Sequence, residues 1–522
     1  MSRTRRATAN YSSFLLFAVV SLAFGFIATP LLLRWLGEER YGAFRVTSDW
    51  YGYLNFLELG LGGALLPLLA KALGSGEAGK VRDLLAAGMR AYARIMAAML
   101  LAGLALTFFI TWLVPVRPEY AHDLRIGCLI GLATLLWLPV SAPLRAEADA
   151  RQRSYVINLL LVVQSVLVTA TALFLGWKRW GITGQFIAIA CGGAFFNFML
   201  VVRGWRRYPG LLSSALRGRY DRAAASEIWR LNAPTYVLDI CGRISLLTDN
   251  IVVAAILGPA MVVPLVLTQR LPVLLQGHLQ GIGGASWAGL AELYARDDRP
   301  GFSRSLLELT QVVATLGVGV LVPTFVLNRY FVSLWVGSSH YGGDWMTFFA
   351  VANAFLLALI SLWNWVFTGT GQVRRVLKAL LIQTALNVVL SVLLTRPLGP
   401  VGALIGTFAG FIAVMAWFLP FQLHRTFGIS VSGLLAAVLK PAVLGVPYSA
   451  LLWLLVHKWP PISWFRLGLE LPTFVLAYLA MAWFLLFTTG ERHRWMSRVR
   501  LLVTPSGPDK EETLAAAEGP GE

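Results

Sequence analysis

The sequence predicts an all-α, polytopic membrane protein of about fourteen transmembrane helices: two parallel six-helix repeats forming two lobes around a central cavity, plus two C-terminal helices. Three observations predict it. The 522-residue chain is 57% hydrophobic and 13% charged, with a mean hydropathy of +0.67, more apolar surface than a water-soluble fold can bury. Apolar stretches of about 20 residues, enough to cross roughly 30 Å of hydrocarbon at 1.5 Å per residue, recur along the whole chain. Finally, Gly60-Leu61-Gly62-Gly63-Ala64 returns as Gly281-Ile282-Gly283-Gly284-Ala285, 221 residues later.

The repeat extends beyond these glycines. Leu36, Gly37 and Thr47 match Leu257, Gly258 and Thr268 at the same offset, and Gly181, Gly184, Ile187 and Gly192 match Gly399, Gly402, Ile405 and Gly410 at an offset of 218. One unit therefore occurs twice.

The expected spans cover 12–34, 48–70, 91–114, 125–145, 155–176 and 182–203, then 233–256, 261–290, 305–328, 346–369, 377–396 and 400–423, and last 434–456 and 466–488. They divide the chain into an N-lobe (1–208), an amphipathic cytoplasmic linker (209–230), a C-lobe (231–428), helices 13 and 14 (429–490) and a tail (491–522) that is basic and then disordered. An even number of helices per repeat makes the copies parallel, related by a pseudo-twofold axis along the membrane normal. Most Lys and Arg fall at the N-terminus, in the even-to-odd connections and in the tail, which puts both termini in the cytoplasm of a bacterial inner membrane. The basic start runs into Pro30-Leu31-Leu32-Leu33-Arg34 without a small-residue cleavage site, so it is read as the first membrane helix.

The net charge of +18 is carried by short loops between apolar spans. It reads as a topology signal and headgroup contact, and excludes nucleic acid as the partner. Cys128, Cys191 and Cys241 sit in apolar segments without metal-ligand spacing. Gly74 to Lys80 imitates a phosphate loop, but Val81 stands where Ser or Thr would hold magnesium. No metal, cofactor or enzyme activity is expected. Trp35, Trp50, Trp112, Trp177, Trp180, Trp335 and Trp345 fall at span ends, as interfacial anchors do, and His278 reads as a helix-packing residue.

Small residues one turn apart, Gly402, Gly406 and Gly410 with their equivalents Gly184, Ala188 and Gly192, suit close helix packing in lipid. The clusters Gly60, Gly62, Gly63 and Gly281, Gly283, Gly284 suit either packing or hinging. Ionisable groups within spans cost about 2.5–3.5 kcal/mol each at a helix centre and so face a cavity or a partner. Arg270, Arg243 and Arg45 are the substrate-binding candidates; Asp49, Glu58, Asp239 and Asp249 are the gating or coupling candidates. Asp239 and Arg243, four apart, also suit mutual neutralisation. Asp49 and Arg270 are equivalent under the repeat and are expected to face each other across the cavity as a gate.

The pattern Arg34-Trp35-Leu36-Gly37, Tyr41-Gly42 and Leu59-Gly60-Leu61-Gly62 resembles the N-terminal signature of polysaccharide-export flippases of the multidrug, oligosaccharidyl-lipid and polysaccharide (MOP) exporter superfamily. Asp249, Leu257-Gly258 and Arg270 resemble the start of that family's second lobe. The resemblance covers about residues 10–430. It implies movement of an undecaprenyl-diphosphate-linked oligosaccharide to the outer leaflet for O-antigen, capsule or exopolysaccharide assembly, with a glycan polymerase and glycosyltransferases as implied partners. A cation-coupled multidrug antiporter and a peptidoglycan-precursor flippase are the alternatives. The chain departs from the latter in having no charge between Arg6 and Arg34, and its second lobe has Val262-Val263 where the first has Tyr41-Gly42.

Overall fold

The computed structural model describes residues 3–58, 61–76, 78–211 and 247–490, with 213, 236, 240–242, 244, 492, 493 and 496; every regular element among them is helical. The first half holds α1 (Arg3–Leu36), α2 (Glu38–Leu54), α3 (Leu61–Gly74), α4 (Ala78–Leu113), α5 (Pro118–Ala133), α6 (Leu138–Ala150), α7 (Ser154–Trp177) and α8 (Gly181–Arg207). After it come α9 (Leu247–Leu257), α10 (Val262–Thr268), α11 (Arg270–Ala295), α12 (Arg299–Val336), α13 (Asp344–Gly369), α14 (Arg374–Leu398), α15 (Val401–Phe427), α16 (Val431–Lys458) and α17 (Trp464–Leu485). Asp239, Arg243, Gly60 and nearly all of the expected linker and tail lie outside the described residues.

The repeat is visible in backbone geometry. Gly37 and its counterpart Gly258 have φ of +79° and +92°, and Gly181 and Gly399 have +60° and +70°. Side chains rarely tolerate this region, so glycine turns the chain at matching points of both copies.

Eleven helices among the described residues are long and apolar enough to cross a membrane, or up to twelve if a bent pair counts as one. The count of fourteen is not reproduced, for identifiable reasons. The expected second span is divided into α2 and α3, with a 3₁₀ turn at Asn55–Glu58 between them, and of the expected seventh only the end forms a described apolar helix, α9.

The eighth span is the bent pair, α10 and α11 turning through 55°. Pro272 explains the bend, because it has no N–H for the carbonyl of Thr268. Asn328 Nδ2 donates to that carbonyl instead, at 2.9 Å. Gly281, Gly283 and Gly284 lie farther along, inside unbroken α11.

The small-residue stripes pack as their spacing implies. A Cβ on Gly402 would strike the Leu394 carbonyl, one on Gly406 would strike the Ser391 backbone, and one on Gly410 would lie 3.4 Å from Asn387, all on α14. In the first half a Cβ on Gly184 would crowd Leu175 and one on Gly192 would strike Val168, so α8 packs on α7 through side chains there. Gly406→Leu should therefore cost about 1–3 kcal/mol or more through overpacking, read as a lower unfolding temperature in detergent. Gly281→Ala, with open space around it, should leave that temperature unchanged or raise it.

The two halves share one apolar seam: Ala43, Val46, Met99 and Ile182 cluster with Val253, Val262, Leu265 and Ala403. α1 is fastened elsewhere, its Ala28, Leu32 and Leu33 packing with Val326, Phe331 and Trp335 of α12 and Tyr448 of α16. Trp335 corrects an expectation. It is 6% exposed, stacks on Phe26 at 4.9 Å and donates to the Phe26 carbonyl at 2.7 Å, so it ties α1 to α12 where a membrane anchor was expected. Trp112, Trp177, Trp180 and Trp345 are exposed at helix ends as anticipated.

Candidate functional site

Between the halves lies a cavity of about 260 Å³ whose walls carry Arg45 and Asp49 from α2, Asp249 and Asn250 from α9, Gln269 at the bend, Arg270 and Gln276 from α11, Asn353 from α13 and Thr407 from α15. Four of the seven charged candidates thus come together. Glu58 does not join them; it accepts a hydrogen bond from Tyr92 Oη of α4 at 2.6 Å. Asp239 and Arg243 lie outside the described residues, and His278 is exposed on α11.

Each element delivers its side chain for a local reason. Arg45 and Asp49 are four apart on α2 and share a helix face. Arg270 begins α11, so the bend forced by Pro272 aims it inward, and its Nη2 would lie 3.1 Å from a Cβ on Gly25 of α1. A glycine in the first helix thus makes room for the guanidinium.

Electrostatically, Arg45 lies close enough to Arg270 to repel it and close enough to Asp49 to attract it. Among the described residues neither arginine forms an ion pair or a side-chain hydrogen bond, and Arg45 Nε is buried without a partner. Two guanidiniums sharing a partly desolvated space without a salt-bridged counter-ion favour an incoming anion.

Asp49 and Arg270, expected to face each other as a gate, line the same cavity without forming an ion pair among the described residues. Asp49 accepts from Asn250 Nδ2 at 2.8 Å, and Tyr53 and Thr248 hydroxyls meet at 2.6 Å, so α2 is latched to α9. Toward the N-terminal end of α2, Gly42 packs directly on the backbone carbonyl of Pro259, leaving no room for a Cβ.

Asp249 has a different environment. Its carboxylate oxygens lie 3.1 and 3.2 Å from Thr407 Oγ1, which is also 2.9 Å from Asn387 Oδ1. Ser391 Oγ lies 3.0 Å from Asn387 Oδ1 and 3.1 Å from the Ala403 carbonyl. Among the described residues no basic side chain pairs with Asp249. An all-oxygen set around one carboxylate suits a proton or a hard cation rather than a transition metal.

Sequence reasoning missed Gly25, Asn250, Gln269, Gln276, Asn353 and Thr407, because it searched the spans for ionisable groups only. The signal was present. An amide such as Asn353, set between alanines in an apolar helix, is costly to bury without a purpose.

No family model matches the chain. An uncharacterized membrane protein of Bacillus subtilis (strain 168), EpsK, is 22% identical over 518 residues, covering 96% of this chain and 98% of its own. Among solved structures, the lipid II flippase MurJ in an inward closed conformation superposes with a TM-score of 0.68 at 15% identity, covering 90% of this chain and 98% of MurJ. An inward-facing multidrug resistance MATE family transporter of the MOP superfamily gives 0.61 at 14%, covering 80% and 98%. The chain has the fold of the MOP-superfamily transporters.

Proposed function

We propose that the protein is a transporter of the bacterial cytoplasmic membrane that flips a lipid-linked oligosaccharide by alternating access, with Arg45 and Arg270 receiving the diphosphate. Two cavity arginines between the halves, neither held in a salt bridge or side-chain hydrogen bond among the described residues, carry this reading. A diphosphate supplies the hydrogen-bond acceptors their guanidiniums lack, while its lipid tail stays in the bilayer and its glycan passes between the lobes. The cavity volume fits a closed stage of such a cycle, since about 260 Å³ is below the roughly 300–1,000 Å³ of pockets that enclose a drug-sized ligand. An organic cation, the cargo of a multidrug antiporter, would need Asp49 and Asp249, which already accept from Asn250 and Thr407, and would sit beside the same pair of guanidiniums. The peptidoglycan-precursor alternative shares the anionic head and differs in the glycan and the peptide it carries.

Asp249 is the coupling group in this scheme, taking up a cation or proton in exchange for the cargo's passage. Asp249→Asn is expected to abolish any dependence of transport on a sodium or proton gradient while leaving substrate binding within about twofold. Flux assays in proteoliposomes with each gradient imposed separately would show it, and unchanged coupling would remove Asp249 from the cycle. The decisive experiment for the function is accessibility of an undecaprenyl-diphosphate oligosaccharide to an external glycosidase after reconstitution. Protein-dependent exposure supports the flippase. Dye efflux with no lipid movement would instead assign the antiporter.

A further inference from the structure

A second basic pocket lies far from the central cavity, where α6 meets α7 and α8 ends. Its anchor is Glu147, 3% exposed, which accepts from Tyr208 Oη at 2.7 Å and from Arg151 Nε, with Arg207 Nε 3.6 Å away. Arg151 Nη2 also donates to Tyr208 Oη, at 2.7 Å. These groups occupy the carboxylate.

Three more arginines stand beside them without such a partner. Arg153, Arg203, Arg206 and Arg207 line an open pocket of about 440 Å³ together with Met199 and Val202. Among the described residues Arg153, Arg203 and Arg206 have no side-chain hydrogen bond or ion pair; Arg203 feels the charge of Glu147, yet its Nη2 is buried without a hydrogen-bond partner. An arginine that serves only as a topology signal keeps its guanidinium in water. Arg203, half-buried, has one arm, Nη2, out of water, and a buried donor left unpaired costs about 1–3 kcal/mol. The surroundings add a further clue: Met199 and Val202 give the pocket an apolar side, and Trp205, 57% exposed, is placed as an indole at headgroup depth.

We propose that this pocket binds a phosphate group, carried by an anionic lipid headgroup or free in solution, with Arg203 and Arg206 as its donors. The planar guanidinium fork matches phosphate geometry, and the excess of positive charge over the one occupied carboxylate supplies the attraction. Occupancy would join the end of α8 to the turn between α6 and α7.

Native mass spectrometry and thermal unfolding of the purified full-length chain test this, with phosphatidylglycerol, phosphatidylcholine or inorganic phosphate added separately. Phosphatidylglycerol is expected to be retained about tenfold better than phosphatidylcholine, the value of one charge-assisted hydrogen bond. The double variant Arg203→Gln, Arg206→Gln should erase the preference, Arg203→Lys should keep part of it, and Arg304→Gln, elsewhere on the surface, should not change it. Met199→Trp fills the pocket without touching a charge and should also block binding, which guards against misfolding of the double variant. Stabilisation by inorganic phosphate alone, lost in the double variant, supports the site and names a free anion as its occupant. Equal retention of the two lipids with no effect of phosphate overturns the proposal, as does a lipid preference that survives the double variant. Flipping should be unaffected by these variants, so the result stands apart from the reading of the central cavity.

Discussion

Replacing Arg270 by alanine is expected to lower transport about ten- to hundredfold while the protein remains folded in the membrane. The magnitude follows from one charge-assisted contact to phosphate, about 1.5–3 kcal/mol, with 1.4 kcal/mol for each factor of ten. Arg270→Lys should recover only part, because an ammonium lacks the fork that grips two oxygens at once. The same change should raise the unfolding temperature. Arg270 is repelled by Arg45 and partly removed from water, so its loss relieves strain that only a bound anion offsets. Loss of transport together with higher stability is the expected signature; a thermal-shift assay beside the flipping assay reads both. Unchanged flipping would remove Arg270 from the site, and a fall in stability would mean that it holds the fold together.

Gly42→Val is expected to stop transport by at least tenfold through geometry alone. A Cβ at this position overlaps the Pro259 carbonyl, and a backbone atom cannot swing aside as a long side chain can. Because the contact is between halves, the substitution wedges that end open and leaves each half's own core intact. Labelling would reveal it. In a Cys191→Ser background, a cysteine at Asn250, probed with an impermeant maleimide from the side of the α1–α2 turn, should react faster in Gly42→Val than with Gly42 retained. Equal reactivity and normal flipping would show that the contact is not needed for closure.

Much of this was legible in the residues. The offset of 221 aligned Gly37 with Gly258, and those two glycines share their backbone conformation. Intramembrane charge pointed to Arg45, Asp49, Asp249 and Arg270, which line one cavity, because burying charge in hydrocarbon is costly enough to require a reason. What sequence could not supply was the pairing. Asp49 and Arg270 are equivalent under the repeat, yet Asp49 bonds to Asn250, since bond partners depend on side-chain reach as well as symmetry. The bend escaped too. Consecutive glycines drew attention to 281–284, whereas a missing N–H at Pro272 decides where the helix breaks. Gly42 was noted only as part of a signature; its purpose needs Pro259, far away in the chain, to be seen.

The unequal breaks in the two copies have a mechanical consequence. By the repeat, Gln269 corresponds to Ser48, yet α2 runs straight through that level and gives way only at Asn55–Glu58. The two copies therefore break at different heights, so under the proposed alternating access they cannot move equivalently, and transplanting a substitution from one copy to its twin should give unequal effects.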